Sequence, residues 1–291
     1  MSAAACTQGL DTGFIELGAA KVALLGVVQG ISELLPISST AHMRIIPALL
    51  GWRDPGSAFS AAMQLAALAA VVTYFWADVR SLVFGSIEAI HQRNFKDWHF
   101  RLSTWILIAT LPLVVFGVLL SNSLNACGSP FRSLWVIGIA CIVMSVLLAL
   151  AERFCSHRRT LDNVSLKDAL LVGLAQVGAL IPGVSRSGST LTAAMFLDLE
   201  REEAARFSFL LGLPAIFLAG VKELYELVKA HLPAEAWAIL GIGLAVASVS
   251  AFIAIWSLMR ILERFSSWPF VIYRFFIGLV LLVGVSQGLM E

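Results

Sequence analysis

Six stretches of roughly 20 mostly apolar residues, at positions 57 to 76, 103 to 120, 133 to 151, 204 to 228, 236 to 259 and 268 to 288, leave this 291-residue chain very few folds to choose from. Each stretch is close to the length an α-helix needs to cross the hydrocarbon core of a bilayer, about 20 residues. Inside lipid every backbone amide and carbonyl must find its partner within the protein, which a helix achieves within one segment. Composition points the same way, with 59% hydrophobic and 13% charged residues, where a soluble domain carries roughly a quarter charged. The sequence therefore predicts an all-α polytopic membrane protein that forms one integral domain over residues 1 to 291.

Two more apolar regions, 13 to 50 and 166 to 199, are broken in the middle by Pro36 with Ser38, Ser39 and Thr40, and by Pro182 and Gly183 with Ser185 to Thr190. Proline lacks the amide a helix requires and disfavours helix in the residue before it. Each region is expected to stop, expose backbone toward a wet cavity and restart, as a re-entrant hairpin. The two regions also echo each other 147 positions apart: Gly26 falls on Gly173, Gln29 on Gln176 and Ser38 on Ser185. One hairpin and three spans make each half, about 13 to 151 and 166 to 288. An odd number of crossings turns the second copy upside down, so the architecture expected is an inverted repeat of six spans and two hairpins.

Lysine and arginine collect in three places: Arg80, Arg93, Lys96 and Arg101; Arg153, Arg158, Arg159 and Lys167; and Arg260 with Arg264. These segments are expected on the cytoplasmic side. The loops near Arg53, Arg132 and Glu235 are poorer in cations, which puts both termini outside. Lys21 is the first cation and follows Asp11 and Glu16, so the start does not read as a signal peptide. A net charge of +1 without any basic run excludes nucleic acid as a partner class. Cys6, Cys127, Cys141 and Cys155 stand alone, with no CxxC and no neighbouring His, which argues against a zinc site or a disulfide framework.

The polar residues of the first break run Gln29, Glu33, Ser38, Ser39, Thr40 and His42. Gln29 and Glu33, four apart, share one helix face and could hold a divalent cation between them. The alternative for Glu33 is a protonated carboxyl hydrogen-bonded between helices. Ser39 and His42 stand three apart, a spacing that can put a hydroxyl beside an imidazole as nucleophile and base. One of Ser38, Ser39 or Thr40 is expected to cap the restarting helix, and the plain alternative for His42 is a neutral core histidine.

The second break, Pro182 to Thr190, has the makeup of an anion cradle. Gly183 and Gly188 allow close backbone approach, Ser185, Ser187, Ser189 and Thr190 offer hydroxyls, and the restarting helix presents free amides and a positive dipole end. Arg186 adds a fork that fits phosphate oxygens, its alternative being an ion pair with Glu33. Two broken helices meeting near the midplane would bring Glu33, Ser39 and His42 close to Arg186. Arg274, inside the last span, is expected to snorkel toward the cytoplasmic interface.

Taken together, (E/Q)xxxE followed by PISSTAH in the first half and PGVSRSGST in the second resemble the undecaprenyl-diphosphate phosphatase, or bacitracin-resistance protein, family. The likeness runs from about Phe14 to the last span and includes FSFLLGLP from Phe207 and PFVIYRF from Pro269. It implies an enzyme of the bacterial cytoplasmic membrane that removes the terminal phosphate of undecaprenyl diphosphate, recycling the lipid carrier for cell-wall synthesis and conferring bacitracin resistance. The resemblance places Glu33, Ser39, His42 and Arg186 at the catalytic positions and opens the site to the outer face. Ser38, Thr40, Ser185, Ser187, Gly188, Ser189 and Thr190 would bind substrate, and Glu33 with Gln29 would position Mg2+ or Ca2+. Gln29 stands where many relatives carry Glu, which weakens any scheme that needs two carboxylates. Ser39, His42 or a water remain open as the nucleophile. A secondary transporter or lipid flippase would use the same inverted-repeat cavity, but would not require the Ser and His pair beside Arg. The sequence does not fix oligomeric state, homo-oligomers included.

Overall fold

The computed structural model describes residues 13–53, 55–125 and 133–288, and its named elements are all helical. Asp11, Cys6, Cys127 and Arg132 lie outside these residues. The order is α1 (Phe14–Leu34), α2 (Ser39–Leu49), α3 (Ser57–Ala62), α4 (Gln64–Tyr74), α5 (Trp76–His91), α6 (Trp98–Asn125), α7 (Leu134–Phe154), α8 (Leu166–Val177), α9 (Arg186–Phe196), α10 (Arg201–Lys229), α11 (Ala234–Arg264) and α12 (Trp268–Ser286). Six of them, α1, α6, α7, α10, α11 and α12, are long and apolar enough to cross a membrane. The large side chains they turn outward, such as Val118 and Leu119 on α6 and Phe217 and Leu218 on α10, suit contact with acyl chains.

The number six matches the sequence expectation, but one member differs. The apolar stretch 57 to 76 is not one straight span. Its chain breaks between Ala62 and Gln64, and α4 then turns by 80° into α5 at Phe75. Eleven residues of α4 rise only about 16 Å, too short to cross alone. Conversely α1 has span length, although Gly18, at φ 75°, separates its first turn from the regular helix that follows.

The two broken regions appear where the prolines placed them. Between α1 and α2 the chain is non-helical from Leu35 to Ser38, and α8 gives way, through a 3-10 turn at Gly178–Leu180, to the stretch preceding α9. α2 packs on α1 and α9 on α8. Across the halves, α1 lies along α11 and α8 lies along α6. Both approaches are close enough to require glycine: a Cβ at Gly26 would run into the Gly243 carbonyl, and one at Gly173 into that of Ala109. These two glycines are the 147-residue counterparts.

Charged contacts tie together one end of the bundle. Arg201, at the start of α10, bonds Glu152 near the end of α7, and the same carboxylate accepts from the amide and hydroxyl of Ser267, in the turn before α12. Arg206 pairs with Asp78, and Arg159 with Asp168. In the turn before α10, hydrogen bonds from Ser156 hold the Asp198 carboxyl below its ordinary range. The segments expected on the cytoplasmic side thus meet at this end.

Candidate active site

Glu33 sits in the last turn of α1, 8% exposed, and its carboxylate collects three donors. Gln29, one turn earlier, gives an amide hydrogen to Oε2 at 3.0 Å. The Ser39 hydroxyl donates to the same oxygen at 2.7 Å. Arg186 Nη2 donates to Oε1 at 3.1 Å, and Arg186 Nη1 reaches the Gly212 carbonyl on α10 at 3.2 Å. The carboxylate and the guanidinium are 153 residues apart in sequence, and the structure makes them direct neighbours.

Ser39 and Arg186 reach this carboxylate because each is the first residue of a restarting helix. The residue before each, Ser38 and Ser185, has positive φ, at 73° and 66°. Side-chain-bearing residues rarely adopt that conformation, and it costs about 1–3 kcal/mol unless surrounding contacts enforce it. Here Arg274 supplies such contacts. Its guanidinium donates to the carbonyl of Pro36 at 3.3 Å, to that of Gly183 at 2.6 Å, and to that of Val184. At 1% exposure it does not snorkel to an interface, which corrects the sequence expectation: three inward-facing carbonyls at the breaks hold it inside.

The remaining candidates divide into those that face the cavity and those that hold the breaks together. Ser185 and Thr40 line a cavity of about 640 Å³ with Glu33, Ser39 and Arg186. Ser185 also caps α9 by accepting from the Gly188 amide. The expected cap on α2 is absent, since the Ser38 hydroxyl pairs with Thr40 instead. Thr40 accepts from the Gly183 amide, joining the two breaks. Ser187 donates to the carbonyls of Glu33 and Leu35. Ser189 and Thr190 turn back to the Arg186 carbonyl, and Thr190 also meets Ser208. Their hydroxyls stiffen the second break.

His42 does not stand beside Ser39 as the three-residue spacing suggested. Its Nδ1 lies 2.8 Å from the Ser38 carbonyl and its Nε2 2.7 Å from the Tyr273 hydroxyl. A carbonyl only accepts, so Nδ1 carries the hydrogen and in the neutral ring Nε2 accepts from tyrosine. With both nitrogens occupied, the carboxylate of Glu33, not the imidazole, accepts from the Ser39 hydroxyl.

Three contributors escaped the sequence reading. Gln64 and Lys222 line the cavity; Gln64 stood out as a polar residue in an uncharged window, whereas Lys222 falls in a charged run with Glu223, Glu226 and Lys229 that marks no site. Tyr273 lay in a stretch already singled out, yet nothing in the sequence tied it to His42. For a metal, no group of three or more His, Cys, Asp or Glu comes together among the described residues. Glu33 is the one carboxylate among the described lining residues. One carboxylate completed by substrate phosphates is nonetheless a pattern that Mg2+ accepts, so the donors fit a cation that arrives with its ligand.

The cavity joins unlike surfaces: a polar floor from the two breaks, and a wall of Leu113, Val114, Gly117 and Val118 from α6 with Ala215, Ile216, Leu218 and Ala219 from α10. Such a space suits an anionic headgroup on an apolar tail. The family model for "Bacitracin resistance protein BacA" matches residues 22–280. Among similar proteins, undecaprenyl-diphosphatase 2 of Mesorhizobium japonicum is 70% identical over 261 residues, 90% of this chain and 99% of that protein. An undecaprenyl-diphosphatase of Trichormus variabilis is 43% identical, covering 99% of this chain and 90% of the relative. One from Synechococcus sp. (strain JA-3-3Ab) is 48% identical, covering 92% and 95%. With its two breaks meeting on one carboxylate and the match running almost end to end, this chain belongs to the bacitracin resistance protein BacA family.

Proposed function

We propose that this protein is a membrane phosphatase that hydrolyses undecaprenyl diphosphate to undecaprenyl phosphate and inorganic phosphate. The observation that carries the reading is the Ser39 hydroxyl, 2.7 Å from Glu33, with Arg186 on the other oxygen of the same carboxylate. Ser39 Oγ attacks the terminal phosphorus while Glu33 takes its proton. The bond to the bridging oxygen breaks, and undecaprenyl phosphate leaves with the electron pair. Water then cleaves the phosphoserine, releasing inorganic phosphate and restoring the hydroxyl. Arg186 neutralises charge on the phosphoryl oxygens, the kind of stabilisation whose loss costs about 10²- to 10³-fold. A divalent cation held by Glu33, with Gln29 beside it, would neutralise further phosphate charge. His42, committed to Ser38 and Tyr273, supports the backbone from which Ser39 projects.

The site is proposed to open on the outer face of the bacterial cytoplasmic membrane. Support comes from α10: its first residue, Arg201, belongs to the cation-rich end, while cavity-lining Lys222 lies about 31 Å along the helix. If the cation-rich end is cytoplasmic, the cavity belongs to the opposite half. The test is phosphate release from undecaprenyl diphosphate by the purified protein in detergent, with and without chelator. Release is expected from the wild type, with a large loss on chelation and in Ser39→Ala. Failure of the wild type to release phosphate refutes the activity, and undiminished release by Ser39→Ala refutes the nucleophile.

A further inference from the structure

Among the described residues lining the cavity, the charged ones are Glu33, Arg186 and Lys222. Glu33 and Arg186 are paired, so Lys222 alone gives the lining a net positive charge. Arg274, the other cation near the breaks, is spent on carbonyls and does not line the cavity. A diphosphate ester brings at least two negative charges spread over two phosphates, and a single guanidinium, even with a cation beside Glu33, leaves one phosphate without a protein cation of its own.

Lys222 is placed to supply the difference. It shares one face of α10 with Ala215 and Ala219, at the helical spacings of seven and three, and all three line the cavity. Gly212, whose carbonyl holds Arg186, lies on the same helix about 15 Å nearer its N-terminus. Helical side chains lean toward the N-terminus, so Lys222 inclines toward Arg186. Its flexible four-carbon stem starts far enough along the helix from the Arg186 anchor at Gly212 to leave room for a ligand between the two cations. Lys222 is exposed and lines the same cavity as Ser39 and Arg186.

We propose that Lys222 binds the lipid-linked phosphate of the diphosphate, while Arg186 holds the terminal phosphate that is transferred. The two phosphates thus have separate cations, and Lys222 faces the one that departs with the lipid. This rests on the phosphatase reading above, and its test separates the two ideas. Lys222→Met and Lys222→Arg would be compared with wild type for KM and kcat on a prenyl diphosphate, for inhibition by the matching prenyl monophosphate, and for inhibition by inorganic phosphate. A lost charge-assisted contact is worth about 1.5–3 kcal/mol, or roughly 10- to 150-fold. Lys222→Met is expected to raise KM and weaken monophosphate inhibition by a factor in that range, leave inhibition by inorganic phosphate unchanged, and recover in Lys222→Arg. Unchanged KM and monophosphate affinity in Lys222→Met would overturn the proposal, as would an equal loss of inorganic phosphate affinity, which would mark Lys222 as a general attractor of anions. Should the wild type show no hydrolysis, prenyl monophosphate binding still reads Lys222 by itself.

Discussion

The two helix breaks share a backbone and differ in what they carry. α2 and α9 are each eleven residues long and begin 147 positions apart, at Ser39 and Arg186. Each is preceded by a serine with positive φ. Yet the first residue of one helix is a hydroxyl and of the other a guanidinium, and both reach the same carboxylate. That carboxylate has no counterpart, because Leu180 occupies the matching place in the second half. Two identical breaks would set like charges face to face, whereas the two breaks as they stand put an acid between two donors. The two similar breaks supply two helix starts that reach one carboxylate, and the side chains that differ decide what meets there.

The largest effect is expected at the position where the breaks differ most. Arg186→Ala should lower phosphate release by about 10²-fold or more while the protein still purifies as a folded species; near wild-type turnover would remove Arg186 from the reaction. Next comes the clamp common to both breaks. Arg274→Met would strand the carbonyls of Pro36 and Val184 and leave that of Gly183 only the Cys141 thiol, at about 1–3 kcal/mol for a fully buried orphan. Thermal unfolding in detergent should show a marked loss, and an unchanged transition would mean the breaks hold without it. A smaller effect is expected from Tyr273→Phe, which removes one bond to His42, worth about 1 kcal/mol or less than tenfold in turnover. Inactivation as severe as that of Arg186→Ala would put His42 on the reaction path.

The smallest effect tests the other mismatch. Gln29 has Glu33 four residues on, whereas its counterpart Gln176 is fully buried with neither amide atom hydrogen-bonded. Replacing that amide with Gln176→Leu should leave activity intact and raise stability by about 1 kcal/mol, read from the same unfolding curves. A drop in stability would show that the amide has a partner such as a bound water.

Both breaks were legible because proline and clustered serines interrupt apolar runs, and the closeness of Glu33 to Arg186 followed from the echo between the halves. Other features are set by contacts distant in sequence. The 80° bend at Phe75 falls one residue before the end of an apolar window, with no proline or glycine to mark it. Arg274 looked like an interfacial residue because its partners are main-chain carbonyls, which no sequence pattern marks. His42 was paired with Ser39 on local spacing, while its nearest side-chain partner, Tyr273, is 231 residues away.

The shared carboxylate is tested most directly by a double-mutant cycle on phosphate release with Glu33→Asp, Arg186→Lys and the two combined. Shortening one partner and removing the fork of the other should each slow turnover, and the pair should lose far less than the product of the single losses, because both changes break one unit. Strictly multiplicative losses would mean that Glu33 and Arg186 act independently, and would contradict a site formed where the two breaks meet.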